Sequence, residues 1–309
     1  MKLIDNRKTN DPYLNFAIEE FAVRKLDCDE DFLLLYINKP TVVLGKHQVA
    51  LAEMNYHFVR ENDICIARRI SGGGTVFHDR GNINFCHITK FETSKINNYK
   101  TFTKPILDAV KKLGLKAKLN ERNGIILNGK KISGNAQFTN RKNMLSHGTL
   151  LFSCDLEKIN SSLLSSFQIE TKASKSVRNE VANVSDFFKE NLEIEEFLEL
   201  LKAEYFQKEM RMETYHFSKN EWQQIISLRN NKYASWSWIY GKSPAFSILK
   251  RVNNSDVKFY VKNGFIGKVE TQNSQNQKWE ICIENEFLGR KFDEWERENY
   301  MVEFKAIDK

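Results

Sequence analysis

The sequence predicts a mixed α+β fold, with a large N-terminal domain and a small α+β C-terminal one. Segments with strand alternation and segments with helical periodicity are interspersed along the whole chain. Hairpin-type turns outnumber strand–helix–strand crossovers, which argues against a doubly wound parallel sheet. Near Gly241-Lys-Ser-Pro244 helical periodicity gives way to strand alternation. A domain boundary is therefore expected at about residue 246, dividing the chain into 1–246 and 247–309.

Asp11-Pro12 starts the first helix, an acidic cap followed by a proline whose missing N–H is harmless at the first helical position. Leu14, Ala17, Ile18, Phe21 and Ala22 then fall on one face. Phe32–Ile37 and Thr41–Leu44 read as strands around Asn38-Lys39-Pro40. Ile64–Ile70 is a strand that ends in a glycine-rich turn, and Thr75–His78 and Asn82–Ile88 resume extended patterns. Pro105 is expected to open a helix carrying Ile106, Ala109, Val110 and Leu113, closed by Gly114. Gly124–Leu127 and Lys130–Ser133 flank Asn128-Gly129, a pair that suits a type I′ hairpin turn. Next come a strand at Leu145–Phe152, a short helix at Leu156–Ser166 and a polar loop at Thr171–Val184. Two helices follow, around Ile194–Tyr205 and Trp222–Arg229. In the last segment Val257–Val261, Phe265–Val269 and Trp279–Ile283 read as strands, with a polar spacer at Gln272–Gln277 and a helix-like stretch at Phe287–Trp295.

Composition narrows the class. A chain of 309 residues with 41% hydrophobic content can bury a sizeable core, and no apolar run approaches the ~20 residues of a membrane span. The start, MKLIDNRKTNDPY, has no apolar stretch of the secretory kind, so a cytoplasmic protein is expected, without a membrane partner. Five cysteines (28, 65, 86, 154 and 282) with no C-x-x-C spacing read as reduced thiols, with Cys65 and Cys86 in strand patterns. The net charge of +7 suits an anionic substrate or an acidic partner. With no Lys/Arg block and no zinc-finger spacing, nucleic acid is not expected.

The most informative stretch is Arg68 to Asn84, RRISGGGTVFHDRGNIN. Successive backbone N–H groups in a glycine-rich turn can converge on an anion. Arg68 and Arg69 add charge with forked donors. Lys130-Lys131-Ile-Ser133-Gly134-Asn-Ala136 is a second signal: alternation puts Lys131 and Ser133 on one side, where the ammonium can neutralise developing negative charge. On the residues alone a merely solvated hairpin lysine remains an alternative. Gly124-x-x-x-x-Gly129-Lys130 is not a phosphate-binding P-loop, because Lys131 stands where Ser or Thr is needed and the flanks predict a hairpin. His147 could orient a ligand or satisfy a core hydrogen bond. The remaining histidines lack metal-ligand spacing, so no protein metal cage is expected.

In order along the chain, several segments are similar to the lipoate–protein ligase family, whose catalytic fold is shared with biotin–protein ligases. They are Asp11-Pro-Tyr-Leu-Asn-Phe-Ala-Ile-Glu-Glu20, the Arg68–Asn84 block, Arg122-Asn123 with Lys130–Ala136, and His147-Gly-Thr-Leu-Leu151. Lys175-Ser-Val-Arg178 with Val181-Ala-Asn183, and Trp236-x-Trp238 with Pro244-Ala-Phe-Ser247, complete the set. The resemblance implies a mixed-sheet catalytic domain with a small accessory domain. It also implies ATP- and magnesium-dependent activation of lipoate to lipoyl-AMP, then transfer to a carrier lysine. The implied carriers are lipoyl domains of 2-oxoacid dehydrogenases and the glycine-cleavage H protein, and the implied enzyme is a monomer. By the same resemblance Arg69, Gly74, Thr75, Val76, Phe77, Ser176 and Arg178 would hold the nucleotide, and Lys131 would contact both substrates. Ser71, Gly72, Gly73, Val76, His78, Ser133, Gly134, Ala136, His147 and Thr149 would form the lipoate slot, with Asn82 and Asn123 near the phosphates. Magnesium would be bound through phosphates.

One departure matters. The family commonly has Asn-Asp where this chain has Asn123-Gly124, which removes a carboxylate that Asp79 could replace. An alternative is therefore a lipoyl or octanoyl transferase of the same fold that uses a pre-activated donor, with Cys154 as the thiol a thioester route needs. A nucleic-acid-binding module leaves the ordered motif set unexplained, and a biotin ligase typically carries a Gly-Arg-Gly-Arg-type loop instead of RRISGGG.

Overall fold

The large sheet of the protein is explained by one short run, Phe32–Tyr36, in which every residue is buried. A strand of continuous apolar residues is stable only when both faces of its sheet are covered. In the computed structural model, which describes residues 1–165, 167–188, 192–207, 212–252, 255–272, 281 and 285–294, both faces are covered. Leu34 and Tyr36 pack with the helix Pro12–Lys25 and with Trp222 and Ile225. Leu33 and Leu35 point the other way, into a layer with Ile106, Val110, Phe197 and Leu201. The sheet has six strands in the order Asn135–Thr139, Asn143–Leu151, Asn82–Lys90, Phe32–Tyr36, Lys2–Ile4 and Glu213–Tyr215. The first four are antiparallel in turn, and Lys2–Ile4 is parallel to both of its neighbours.

Local chemistry sets the element ends. Asp11 caps the first helix by accepting from the Tyr13 N–H at 2.9 Å. That helix is buried nearly all round, including Asn15, Glu19 and Glu20, so the one-sided face read from its apolar spacing understates its burial. The hairpin Ile125–Leu127/Lys130–Ser133 forms as expected, with Asn128 and Gly129 both at positive φ. Pro105 does not open its helix. The helix runs Tyr99–Lys112 with the proline inside, because the turns before it bury Tyr99, Phe102 and Thr103, which outweighs one lost backbone bond. The edge strand Asn135–Thr139 escaped sequence reading because Asn-Ala-Gln-Phe-Thr has little apolar alternation; its pairing with Asn143–Leu151 holds it. The short helix spans Leu156–Ser162.

A separate antiparallel sheet joins Ile169–Glu170, Phe246–Val252, Ser255–Lys262 and Phe265–Gln272. Its Ile248, Val257 and Phe259 share a hydrophobic cluster with Val42, Leu44 and Tyr56. Of the expected strand at 279–283 only Ile281 is described, and the 273–277 part of the spacer and Trp295 also lie outside the described residues. Among the described residues no helix is long and apolar enough to cross a membrane.

Candidate active site

Strands Cys65–Arg68 and Val76–His78 flank Thr41–Leu44, the first parallel and the second antiparallel to it. The chain between them must cross over the end of the middle strand, and Ser71–Gly74 lies in that crossing. Gly73 takes φ +90°, and a Cβ at Gly45 would lie 2.0 Å from the Gly73 carbonyl oxygen. Side chains are excluded at both positions, one by conformation and the other by contact.

The two arginines before the turn have different duties from those expected. Arg68 is fully buried, and its side-chain hydrogen bonds go to residues 45–48 and 238–243, none to the turn. Its Nη1 donates to the carbonyls of Gly45 (2.9 Å) and Gln48 (2.7 Å), and its Nη2 to that of Ile239 (2.6 Å) and to Ser243 Oγ (3.1 Å). It staples the Trp236–Ile239 helix to the core and is not an anion ligand. Burial without a carboxylate partner pushes its pKa down to about 10, still a cation at neutral pH. Arg69 does reach the cleft, but its donors hold the turn: Nε donates to Ser71 Oγ at 3.0 Å, and Nη2 to the carbonyls of Gly72 and Gly74, each at 2.7 Å.

Two cavities of about 460 and 450 Å³ share Thr75, Val76, Lys131, Gly134 and Thr149, with Lys175, Ser176, Val177 and Asn179 of the 171–184 loop, and so form two arms of one cleft. The glycine arm is walled by Gly72, Gly73, Gly74, His78, Ala136 and His147, with Arg69 and Asn123. The lid arm is walled by Phe77, Ser133 and Leu163, and by Arg178 and Val181 from the 171–184 loop. Lys131 stands where the arms meet. Among the described residues its ammonium has no hydrogen-bond or ion-pair partner. Desolvation, then the charge of Arg69, pulls its pKa below the ordinary lysine value. Arg69, Arg122, Lys131, Lys175 and Arg178 line the cleft against one carboxylate, Glu53, so the cleft is built for anions.

The loop is closed over the lid arm. The Lys131 N–H donates to the Glu180 carbonyl at 2.8 Å, and the Ala182 N–H to the Lys131 carbonyl at 3.2 Å. The Ser176 hydroxyl donates to Glu53 and accepts from Gln48 Nε2 (3.0 Å) and from the Thr75 N–H (2.8 Å). Glu53 and Gln48 were not singled out from the sequence. Both lie in an unremarkable helical-turn region, and only the fold brings them to a loop more than a hundred residues away.

Other expected residues are placed less directly. Ser71 is on neither wall; its Oγ lies 2.7 Å from His147 Nε2. Asn82 is buried and at one remove, donating to Asn84 Oδ1 at 3.1 Å, and it is Asn84 that lines the glycine arm. His78 is a neutral wall residue, its pKa pushed down to about 3 by burial and then by Arg69 and His147. Asp79 cannot stand in for the missing acid at Gly124, since its two oxygens accept the N–H groups of Gly81 and Asp155, each at 2.9 Å. Cys154 is buried, and burial followed by the Asp79 charge drives its thiol pKa up, the reverse of a nucleophile's need. Glu19, Cys86 and His147 bring three possible ligand atoms within 4.8 Å, a soft donor set unlike that of magnesium. Magnesium fits this cleft only if phosphate oxygens supply most ligands, with Glu53 the one wall carboxylate.

Comparison with known proteins gives the family. The family model for the lipoyl protein ligase A/B catalytic domain matches residues 11–206. The chain is 40% identical over 273 residues to the lipoate–protein ligase LplJ of Bacillus subtilis, covering 86% of this chain and 82% of that one. It is 39% identical over 271 residues to lipoate–protein ligase 1 of Staphylococcus aureus, with the same coverage. Among solved structures, a lipoate–protein ligase A bound with ATP superposes with a TM-score of 0.66 at 25% identity, over 78% of this chain and 98% of the other. The glycine turn, the Lys131 hairpin and the closing loop all lie within the matched span, and the chain belongs to the lipoate–protein ligase family.

Proposed function

We propose that this protein activates lipoate with ATP and then lipoylates a carrier protein. In the first step a lipoate carboxylate oxygen attacks the α-phosphorus of ATP, forming lipoyl-AMP and expelling pyrophosphate. In the second, the ε-amine of a carrier lysine attacks the acyl carbon, forming the amide and releasing AMP. The observation that carries the reading is the unpartnered Lys131 ammonium at the junction of a glycine-lined and a loop-covered arm. A cation that meets no anion in the protein is preorganised for one in the reaction.

In this reading the lipoyl chain occupies the glycine arm, with His78, Ala136, His147 and Thr149 around it, and Asn123 stands near the phosphates. The nucleotide occupies the lid arm against Thr75, Val76 and Phe77, under Ser176 and Arg178. Lys131 neutralises charge on the carboxylate and on the phosphate. Bound magnesium would offset the charge of the leaving pyrophosphate. Closure of the 171–184 loop keeps water from the mixed anhydride. The proposed carriers, acidic lipoyl domains and the glycine-cleavage H protein, meet a cleft rim carrying exposed Arg122, Lys175 and Arg178. We further propose a cytoplasmic monomer with its domain boundary near residue 246, the 247–309 part acting as accessory domain.

Gly124 favours a second reading. A Cβ there would stand 3.2 Å from Lys131 Cε, so an acid at this position would flank the lysine, and this chain has none. A transferase using preformed lipoyl-AMP would tolerate that loss. Pyrophosphate release from ATP, magnesium and lipoate, without carrier, decides. Lipoate-dependent release that disappears in Lys131→Ala supports the ligase. No release, with transfer from supplied lipoyl-AMP intact, supports the transferase.

A further inference from the structure

A run of buried polar groups starts at the wall of the glycine arm, where Tyr36, Arg69 and His147 stand, and continues behind it to Glu19 and Ser71. Tyr36 OH donates to Glu19 Oε1 at 3.0 Å. Glu19 Oε2 lies 2.9 Å from His147 Nδ1, and His147 Nε2 lies 2.7 Å from Ser71 Oγ. Ser71 Oγ accepts from Arg69 Nε at 3.0 Å, and Arg69 Nη2 grips the carbonyls of Gly72 and Gly74. Glu19 is 1% exposed and Ser71 1% exposed, and neither is on a cavity wall.

The order acid–imidazole–hydroxyl is that of a hydrolase triad, but the chemistry differs. The Ser71 oxygen already accepts from a guanidinium and lies off the cleft, so it is not a nucleophile. The ends of the chain explain it better. A carboxylate only accepts and a guanidinium only donates, so around a neutral imidazole the groups between them have one consistent orientation. His147 carries its proton on Nδ1, toward Glu19, and leaves Nε2 to accept the Ser71 hydroxyl. That hydroxyl has the Gly72 carbonyl as its other choice, only at 3.5 Å. A lone pair of Ser71 is thereby turned to Arg69, whose other arm fixes the glycine carbonyls.

We infer that Glu19 is a positioning residue which, through His147, Ser71 and Arg69, sets the His147 tautomer and the aim of the Gly72–Gly74 backbone along the glycine arm. The sequence carried a trace of this: two acids, Glu19 and Glu20, inside an otherwise apolar helical stretch. Glu20 is accounted for by Lys232, Tyr233 and Arg24, whereas Glu19 faces the site.

The test is Glu19→Gln in the full-length protein. The amide fits the same space but adds a donor to the accepting end, so the chain loses its fixed direction. In ¹⁵N-histidine NMR spectra the wild-type His147 ring is expected as the Nδ1–H tautomer, and the variant as a mixture or as Nε2–H. The kinetic arm alone rests on the ligase reading. There, kcat/KM for lipoate is expected to fall about tenfold or more while KM for ATP stays put. Ser71→Ala guards against a variant that fails to fold. It cuts the chain beyond His147, and should give the same lipoate-selective loss with His147 still Nδ1–H. An unchanged tautomer in Glu19→Gln, or equal losses toward lipoate and ATP in step with a lowered Tm, overturns the inference. A wild-type protein that consumes no lipoate would sink the ligase reading and leave the tautomer measurement to decide the role of Glu19.

Discussion

The two arms of the cleft are built by opposite means. The glycine arm is made of backbone fixed from behind: Gly73 at positive φ, Gly45 giving way to its carbonyl, and a buried polar chain that ends on Arg69. The lid arm has apolar walls, Phe77, Leu151, Ile159 and Phe167 among them, and lies under a loop whose Ser176 is held by Glu53, Gln48 and the Thr75 N–H. In the proposed cycle the glycine turn is set once, on folding, and the 171–184 loop closes at each turnover. Changes in the glycine arm should therefore strike the chemistry or the fold, and changes in the lid arm the retention of an intermediate.

Lys131 belongs to both arms, and its removal should have the largest effect. Lys131→Ala is expected to lower carrier-free pyrophosphate release by about 10²–10³-fold. Because its ammonium has no partner among the described residues, the thermal midpoint should hardly move. A large drop in Tm would mean that the lysine serves the fold. Next comes Gly45→Ala. A Cβ 2.0 Å from the Gly73 carbonyl oxygen forces the turn to shift, so lipoate binding by calorimetry should collapse. Nucleotide binding should persist, and loss of both together would erase the distinction between the arms.

The difference between the arms also explains what could be read beforehand. The glycine turn, the Asn128-Gly129 hairpin, the Lys131 strand and the Asp11 cap follow from local rules, because each is specified by neighbours in sequence. The assignment of Arg68 failed for the opposite reason. Two adjacent arginines look alike in a sequence, but strand alternation sends one into the cleft and the other to carbonyls at 239, contacts 171 residues away. Glu53 and Gln48 were silent because their partners are 123 and 128 residues distant, and Glu19, 128 residues from His147, showed only as an acid in an apolar stretch. Pro105 misled because its local preference was overruled by the burial of Tyr99 and Phe102.

Glu53→Ala tests the hold on the closing loop. It removes the acceptor of the Ser176 hydroxyl and N–H while keeping the Lys131 side chain and the Arg69 grip on the glycine turn. A hydrogen bond to a charged group contributes about 1.5–3 kcal/mol, enough to shift loop closure by about tenfold or more. The expected result is adenylation at close to the wild-type rate with leakage: more AMP released per lipoylated carrier. If AMP and lipoylated carrier stay equal, the Ser176 bond does not hold the lid during turnover. If adenylation falls as far as in Lys131→Ala, Glu53 takes part in the chemistry, and the contrast between the arms must be redrawn.

The smallest effect expected lies in the pH profile, and its sign follows from burial. Desolvation, and secondarily Arg69, lowers the Lys131 pKa below the ordinary 10.5, so the free enzyme loses this ammonium at lower pH than an exposed lysine would. Adenylation is proposed to need the charged form. The alkaline limb of kcat/KM, which reports free enzyme, should therefore fall below 10.5. Anionic substrates in both arms favour the ammonium and push its pKa back up, so the limb of kcat should lie at higher pH than that of kcat/KM. Lys131→Arg keeps the cation without a titration in this range, and its residual activity should lack the limb. A limb that survives the arginine substitution unmoved belongs to another group. A kcat limb below that of kcat/KM would mean that bound substrates destabilise the charge, against a cleft arranged to receive anions.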